Sequence, residues 1–161
     1  MNPEINTLLM KQANHERYAA TCYTAMAYWC EDQEYMGFAE FFHTQAKEEI
    51  EHSEKFFAHL VDRCVMPVIE ATPAPHCDYK KLLELAEMAL KLETANSKGI
   101  HECYAASVAL KDFASMPLLL EFISEQVEEE AWANKMINLL SRSDCAGALY
   151  SLDRHIVKEM A

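Results

Sequence analysis

Apolar and polar positions follow one another along this chain with the period of a helix rather than a strand. Apolar residues return every third or fourth position through residues 2–31, 37–63, 78–110, 112–141 and, more briefly, 146–158, and each stretch reads as an amphipathic helix. Asn2 before Pro3 suits a helix start, a capping side chain followed by a residue with its φ already set. A polar turn ending at Gly37 separates the first two stretches. Residues 64–77 hold Pro67, Pro73 and Pro75 and keep no helical period. Pro117 lies early in the fourth stretch and should bend that helix or delay its start. The first four helices are each about 30 residues, hence roughly 45 Å long. Short turns force the first and second, and the third and fourth, into antiparallel hairpins. The proline-bearing link between the hairpins is long enough to travel the length of the molecule. The expected fold is therefore all-α: one domain over 1–161, a four-helix bundle with one long crossover and a short fifth helix at the C-terminus.

Within this pattern, four polar residues stand where apolar ones belong. A step of seven residues returns a helix to nearly the same face. Four such rows are Leu9, Glu16, Tyr23, Cys30; Phe42, Glu49, Phe56; Ala86, Glu93, Ile100; and Phe122, Glu129, Met136. Each row is apolar around one central glutamate, with Tyr23 the only other polar group, so four carboxylates are aimed at one core. Burying one unpaired carboxylate costs several kcal/mol, and four together repel one another. Lys and Arg are absent from these rows, which leaves protonation or a hard metal cation as the remedy. His52 lies three residues beyond Glu49 and Gln126 three before Glu129, each on its glutamate's face. The spacing also repeats: 33 positions separate Glu16 from Glu49 and Glu93 from Gln126, and 36 separate Glu16 from His52 and Glu93 from Glu129. A helical hairpin is thus used twice, with its polar positions facing one another. His52 alone would read as an ordinary core histidine; Glu49 beside it reverses that.

Composition agrees with a helical, cation-handling protein. Only 3 Gly and 5 Pro occur, and the formal net charge is −12. Such a surface disfavours nucleic acid and anionic membranes, and no apolar run is long enough for a membrane span. The 6 cysteines are scattered without a Cys-x-x-Cys pair, which argues against a zinc ribbon or rubredoxin-type iron site. Reduced thiols in a cytoplasmic protein are the economical reading. The opening Asn2-Pro3-Glu4 lacks the basic character of a secretory leader. Trp29, Trp132 and the methionines are read as packing, and His59 is expected at the bundle end or in solvent.

The stretch Asn14-His15-Glu16-Arg17-Tyr18 through Tyr28-Trp29-Cys30 resembles the first helix of bacterial non-haem ferritins. So do Gly37-Phe38-Ala39-Glu40-Phe41-Phe42 with Gln45 to His52, the run from Ser124 to Glu130, and the ending Gly147-Ala148-Leu149-Tyr150 with Leu152-Asp153. The resemblance spans essentially the whole chain and implies the ferritin-like fold. It implies that Glu16, Glu49 and His52 hold a first ferroxidase iron and that Glu49, Glu93 and Glu129 hold a second, with Glu49 as bridge. Gln126 would stand beside the second iron and Tyr23 next to the centre. Glu48, Glu125 and Glu128 match an additional inner iron site of some bacterial members. The implied substrates are Fe(II) and O2, oxidised and reduced at the di-iron centre, and the implied partner is the chain itself in a 24-subunit cage that stores Fe(III) mineral.

Two departures separate the chain from bacterioferritin. Glu129 stands where that family has His, and Ile50 follows Glu49 where that family has its haem-ligating Met, so no haem is expected. A third difference is Glu121, where several bacterial ferritins carry Trp. The rival readings are a rubrerythrin-type peroxidase, which would usually bring a Cys-x-x-Cys pair, and an iron-detoxifying oxidase with little mineral store.

Overall fold

The computed structural model describes residues 2–161, and among them every regular element is a helix, with no strand. Five helices follow in order: α1 (Pro3–Asp32), α2 (Met36–Asp62), α3 (Leu82–Ala109), α4 (Met116–Ser141) and α5 (Ala146–Met160). Asn2 Oδ1 accepts the Glu4 N–H at 2.8 Å, so the expected cap does start α1. Two boundaries differ from the sequence reading. Residues 78–81 belong to the crossover, and α3 begins at Leu82. Residues 112–115 form a turn, so Pro117 delays the start of α4 instead of bending it.

That turn is tied down by charge. Ser115 Oγ donates to Asp112 at 2.7 Å and accepts from Arg63 at 3.1 Å, and Arg63 also pairs with Asp112 at 2.7 Å. His59 is half-buried at this end of the bundle, with Nε2 2.9 Å from Ser115 Oγ.

Side-chain pairs fix the topology. Gln12 meets Asn96 while Tyr23 meets Glu93, so α1 and α3 run antiparallel. Phe41 packs on Trp132 and Phe56 on Phe122, so α2 and α4 are antiparallel as well. With α1 and α2 joined by a short turn, α2 and α3 must be parallel, as one long crossover requires.

All 13 residues of the four heptad rows are buried, the glutamates included. They do not form one continuous core. One apolar cluster surrounds Met26, Phe38, Phe42, Leu85 and Met136; a second surrounds Ile5, Leu9, Phe56, Ile100 and Phe122. The polar belt lies between them. Met26 and Met136 fill the first cluster's core as expected, whereas Met36 and Met66 are exposed.

No glycine marks the ends of α1, α2 or α3. Glu34, Cys64 and Lys111 take the left-handed conformation there, at φ 62, 61 and 56°. Each end closes with the same pair of backbone bonds, such as Tyr35 N–H to Cys30 O and Glu34 N–H to Glu31 O after α1. This is the double closure that normally selects glycine. Replacing Cys64 or Lys111 by Gly should raise stability by about 0.5–1 kcal/mol each, read as a higher midpoint in chemical denaturation; a drop would contradict it.

The fifth helix closes one end. The first turn of α2 has no side-chain cap of its own; Asp153 of α5 supplies one, accepting the Phe38 N–H at 3.0 Å. The backbone approach is so close that a Cβ on Gly37 would lie 1.7 Å from the Asp153 carbonyl oxygen. Glycine is required here by space.

Candidate metal centre

Each of the four long helices delivers one glutamate to the belt, because a heptad row keeps its central position facing inward. Glu16 comes from α1, Glu49 and His52 from α2, Glu93 from α3, Glu129 and Gln126 from α4, and all are buried. One ligand atom each from Glu16, Glu49 and His52 lies within 4.8 Å of the others, the spacing of donors around one cation. Glu49 is central: His52 Nδ1 is 3.8 Å from its Oε2, and Asn96 Nδ2 donates to the same oxygen at 3.5 Å.

The second half of the belt is built around Glu93. Tyr23 donates its phenolic O–H to Glu93 Oε1. Gln126 Nε2 lies 3.2 Å from Glu93 Oε2 and 3.1 Å from the Glu93 carbonyl oxygen. Trp132 donates its indole N–H to Glu129, so it does more than pack. Trp29, expected as packing alone, likewise donates to the Tyr79 carbonyl oxygen at 3.1 Å.

The remaining residues singled out from the sequence divide. Glu125 is one-third exposed and accepts from His52 Nε2 at 3.1 Å, so it links the belt to the outside of the α2–α4 face. Glu48 is half-buried and held by Gln45 Nε2 at 2.6 Å. Glu128 is exposed and makes no hydrogen bond or ion pair among the described residues. Glu121 is exposed and pairs with Lys55 at 2.9 Å.

The electrostatics match the crowding. Burial, then the neighbouring Glu49 charge, push the Glu16 carboxyl well above its ordinary range. Burial and Glu93 do the same to Glu49. Burial raises Glu93, and burial with Glu93 lifts Glu129 to about 7. Burial pulls the His52 imidazole down, but the hydrogen bond to Glu125 and the surrounding carboxylates outweigh it, and the net shift is upward. Burial raises the Tyr23 phenol well above its usual value. Among the described residues, Glu16 Oε2 is the belt carboxylate oxygen that is buried without a hydrogen-bond partner. A buried, orphaned carboxylate oxygen beside another carboxylate and an imidazole is the donor set of a hard or borderline divalent cation.

Sequence reasoning passed over Gln12, Asn96 and Trp132. Their signal was present. Gln12 is four residues before Glu16, Asn96 three after Glu93 and Trp132 three after Glu129, all on the glutamate's own face.

Comparison with known proteins agrees with this geometry. The model of the ferritin-like domain family matches residues 6–143. The bacterial non-heme ferritin of Staphylococcus saprophyticus is 36% identical over 157 residues, covering 97% of this chain and 94% of that protein. That of Staphylococcus aureus is 37% identical over 149 residues, covering 92% and 90%. Among solved structures, the open pore ferritin of the hyperthermophilic archaeon Archaeoglobus fulgidus superimposes with a TM-score of 0.93 at 29% identity, covering 97% of each chain. With a family match over most of its residues and relatives this similar across nearly its whole length, the chain belongs to the ferritin family.

Proposed function

We propose that this protein stores iron and is a ferroxidase, oxidising Fe(II) with O2 between its four long helices and holding the Fe(III) product inside an oligomeric cage. The observation that carries the reading is the convergence of Glu16, Glu49 and His52 at metal-ligand spacing with one buried carboxylate oxygen left unsatisfied.

Glu16, Glu49 and His52 would hold one Fe(II), and Glu49, Glu93 and Glu129 a second. Four carboxylates and one imidazole favour Fe(III) over Fe(II) and so promote loss of an electron from each ion. Two ions held together can deliver two electrons to one O2. Tyr23, bonded to Glu93, holds that carboxylate in place and is the nearest phenol to the pair. Gln126 adds a neutral neighbour where a charged ligand would bind the ferric product more tightly, which suits release. Glu48, Glu125 and Glu128 would make up the additional inner iron site that the family resemblance implies, with Glu125 the member that touches His52.

Assembly is supported by the apolar side chains left in water. Met66, Val68 and Ile69 lie close together in the crossover and are exposed in the single chain, as are Tyr28, Phe113 and Val127. Homo-oligomerisation, in the 24-subunit form the family implies, would cover them. Among the described residues no helix is long and apolar enough to cross a membrane.

The direct test is a crystal soaked aerobically in Fe(II) and examined for iron anomalous scattering, with size-exclusion chromatography of the same protein. Two peaks at the belt and a very large assembly support the reading; empty belts with iron only on surface carboxylates discard it. For release, Gln126→Glu should slow multi-turnover Fe(II) oxidation while leaving the first turnover nearly unchanged. Unaltered multi-turnover kinetics would remove that role from Gln126.

A further inference from the structure

Two carboxamides sit between the carboxylates, and neither carries charge or belongs to the proposed ligand set. Gln12 Nε2 donates to Glu16 Oε1 at 2.7 Å and faces Asn96 Oδ1 at 3.5 Å. Asn96 Nδ2 divides its two hydrogens between Glu93 Oε2 at 3.4 Å and Glu49 Oε2 at 3.5 Å. A carboxamide NH2 has two donors and the amide oxygen accepts. The pair Gln12–Asn96 therefore spends all four donors on this belt and joins three glutamates from three helices.

Space for this arrangement is also provided. Gly99 lies opposite Gln12, and a Cβ there would come within 1.9 Å of Gln12 Oε1. Any larger residue on α3 would push the Gln12 carboxamide out of position. On its outer side Gln12 lines a cavity of about 350 Å³ between α1, the crossover and α3, with Lys11 and Lys98 at its wall. The carboxamide is thus the partition between that water-accessible space and Glu16.

We propose that Gln12 and Asn96, with Gly99 making room, are positioning residues: a neutral clamp that aims one chosen oxygen of each carboxylate at the metal. The chemistry explains the residue types. Gln12 occupies Glu16 Oε1, which leaves Oε2 as the free donor, and Oε2 is the atom without a partner. A Lys or Arg in the same place would hold the carboxylates equally well but would compete with the cation they are meant to bind. A neutral amide supports the ionised form without occupying the cation's place. Groups that orient ligands in this way typically alter metal affinity by about 10–100-fold when removed.

The inference rests on the ferroxidase reading, and Co(II) titration of the chelator-treated assembly separates the two. Wild-type protein should bind two Co(II) per chain, with the visible spectrum of carboxylate and imidazole ligation. Gln12→Leu, Asn96→Leu and Gly99→Ala should each weaken Co(II) at the Glu16 side by about tenfold or more and raise the Fe(II) KM more than they lower kcat. Variants that bind Co(II) like wild type while losing thermal stability would overturn the clamp alone. Wild-type protein that binds no Co(II) at the belt would overturn the clamp and the ferroxidase reading together.

Discussion

Glu49→Gln should lower aerobic Fe(II) oxidation by about 100-fold or more, the scale of removing one charged group from a reacting centre, while making the metal-free protein more stable. The two effects have one cause. Glu49 lies in the middle of the belt, next to His52 at 3.8 Å and linked through Asn96 to Glu93. It would be the only carboxylate shared by both iron positions. Its ionised form is also the most crowded, since burial and the Glu93 charge both oppose it. The neutral amide keeps the shape, removes a charge that the metal-free fold holds at a cost, and forfeits the bridge. Initial rates of Fe(II) oxidation and urea denaturation of the chelator-treated protein at about pH 8 test both halves. An oxidation rate within a factor of two of wild type would show that the bridge is not Glu49; equal or lower stability would show that its charge is not buried at a cost.

Metal-free protein should also become less stable as pH rises from about 5 to about 8, the reverse of ordinary acid denaturation. The sign follows from the shifts. Glu16, Glu49, Glu93 and Glu129 all have folded pKa values above their unfolded ones. The unfolded chain therefore releases protons first, and the stability these groups lend is complete below the carboxylate range and lost as pH climbs through their folded values. Glu129, lifted to about 7, contributes a loss on the order of 3 kcal/mol across that window. His52 is shifted upward as well and acts in the same direction. Glu125 is lowered by its bond to His52, but its contribution changes only at lower pH. For a chain of this length the thermal midpoint should fall by on the order of 10 °C over the window. Saturating Co(II) should reverse the slope, because bound metal demands the deprotonated ligands. A flat or rising midpoint in the presence of chelator would mean that the belt carboxylates are not held together as the structure has them.

The helices and the inward glutamates were readable because both depend on local periodicity. Leu9, Glu16, Tyr23 and Cys30 announce a face by spacing alone, and His52 and Gln126 follow from the same arithmetic. Helix ends were less readable for a physical reason. The periodicity starts the third helix at Asp78 and the fourth at Asp112, yet the first lies in the crossover and the second is held in a turn by Arg63 and Ser115, a contact made across the fold. The ends of α1, α2 and α3 carry Glu34, Cys64 and Lys111 where glycine would have marked them. Gln12 and Asn96 were within reach of the rule that found His52, but an uncharged amide on an inward face raises no electrostatic alarm. Glu48, Glu125 and Glu128 show the opposite difficulty: the family resemblance groups them, and only tertiary structure separates the one that meets His52 from the one in water. Nothing local joins Gly37 to Asp153, which are 116 positions apart (37 to 153).

The division of the core into two oily ends about a charged waist also bears on how the molecule moves. Each end is sealed by aromatic and aliphatic packing, around Phe38, Phe42 and Met136 on one side and Leu9, Phe56 and Phe122 on the other. The waist is held by hydrogen bonds to carboxylates, from Gln12, Asn96, Gln126, Tyr23 and Trp132, and without cargo the crowded carboxylates there oppose closure that both ends favour. Loading the centre would rivet four helices at their most charged cross-section, and the backbone amides on either side of Glu16, Glu49, Glu93 and Glu129 would be the ones whose exchange with solvent slows most.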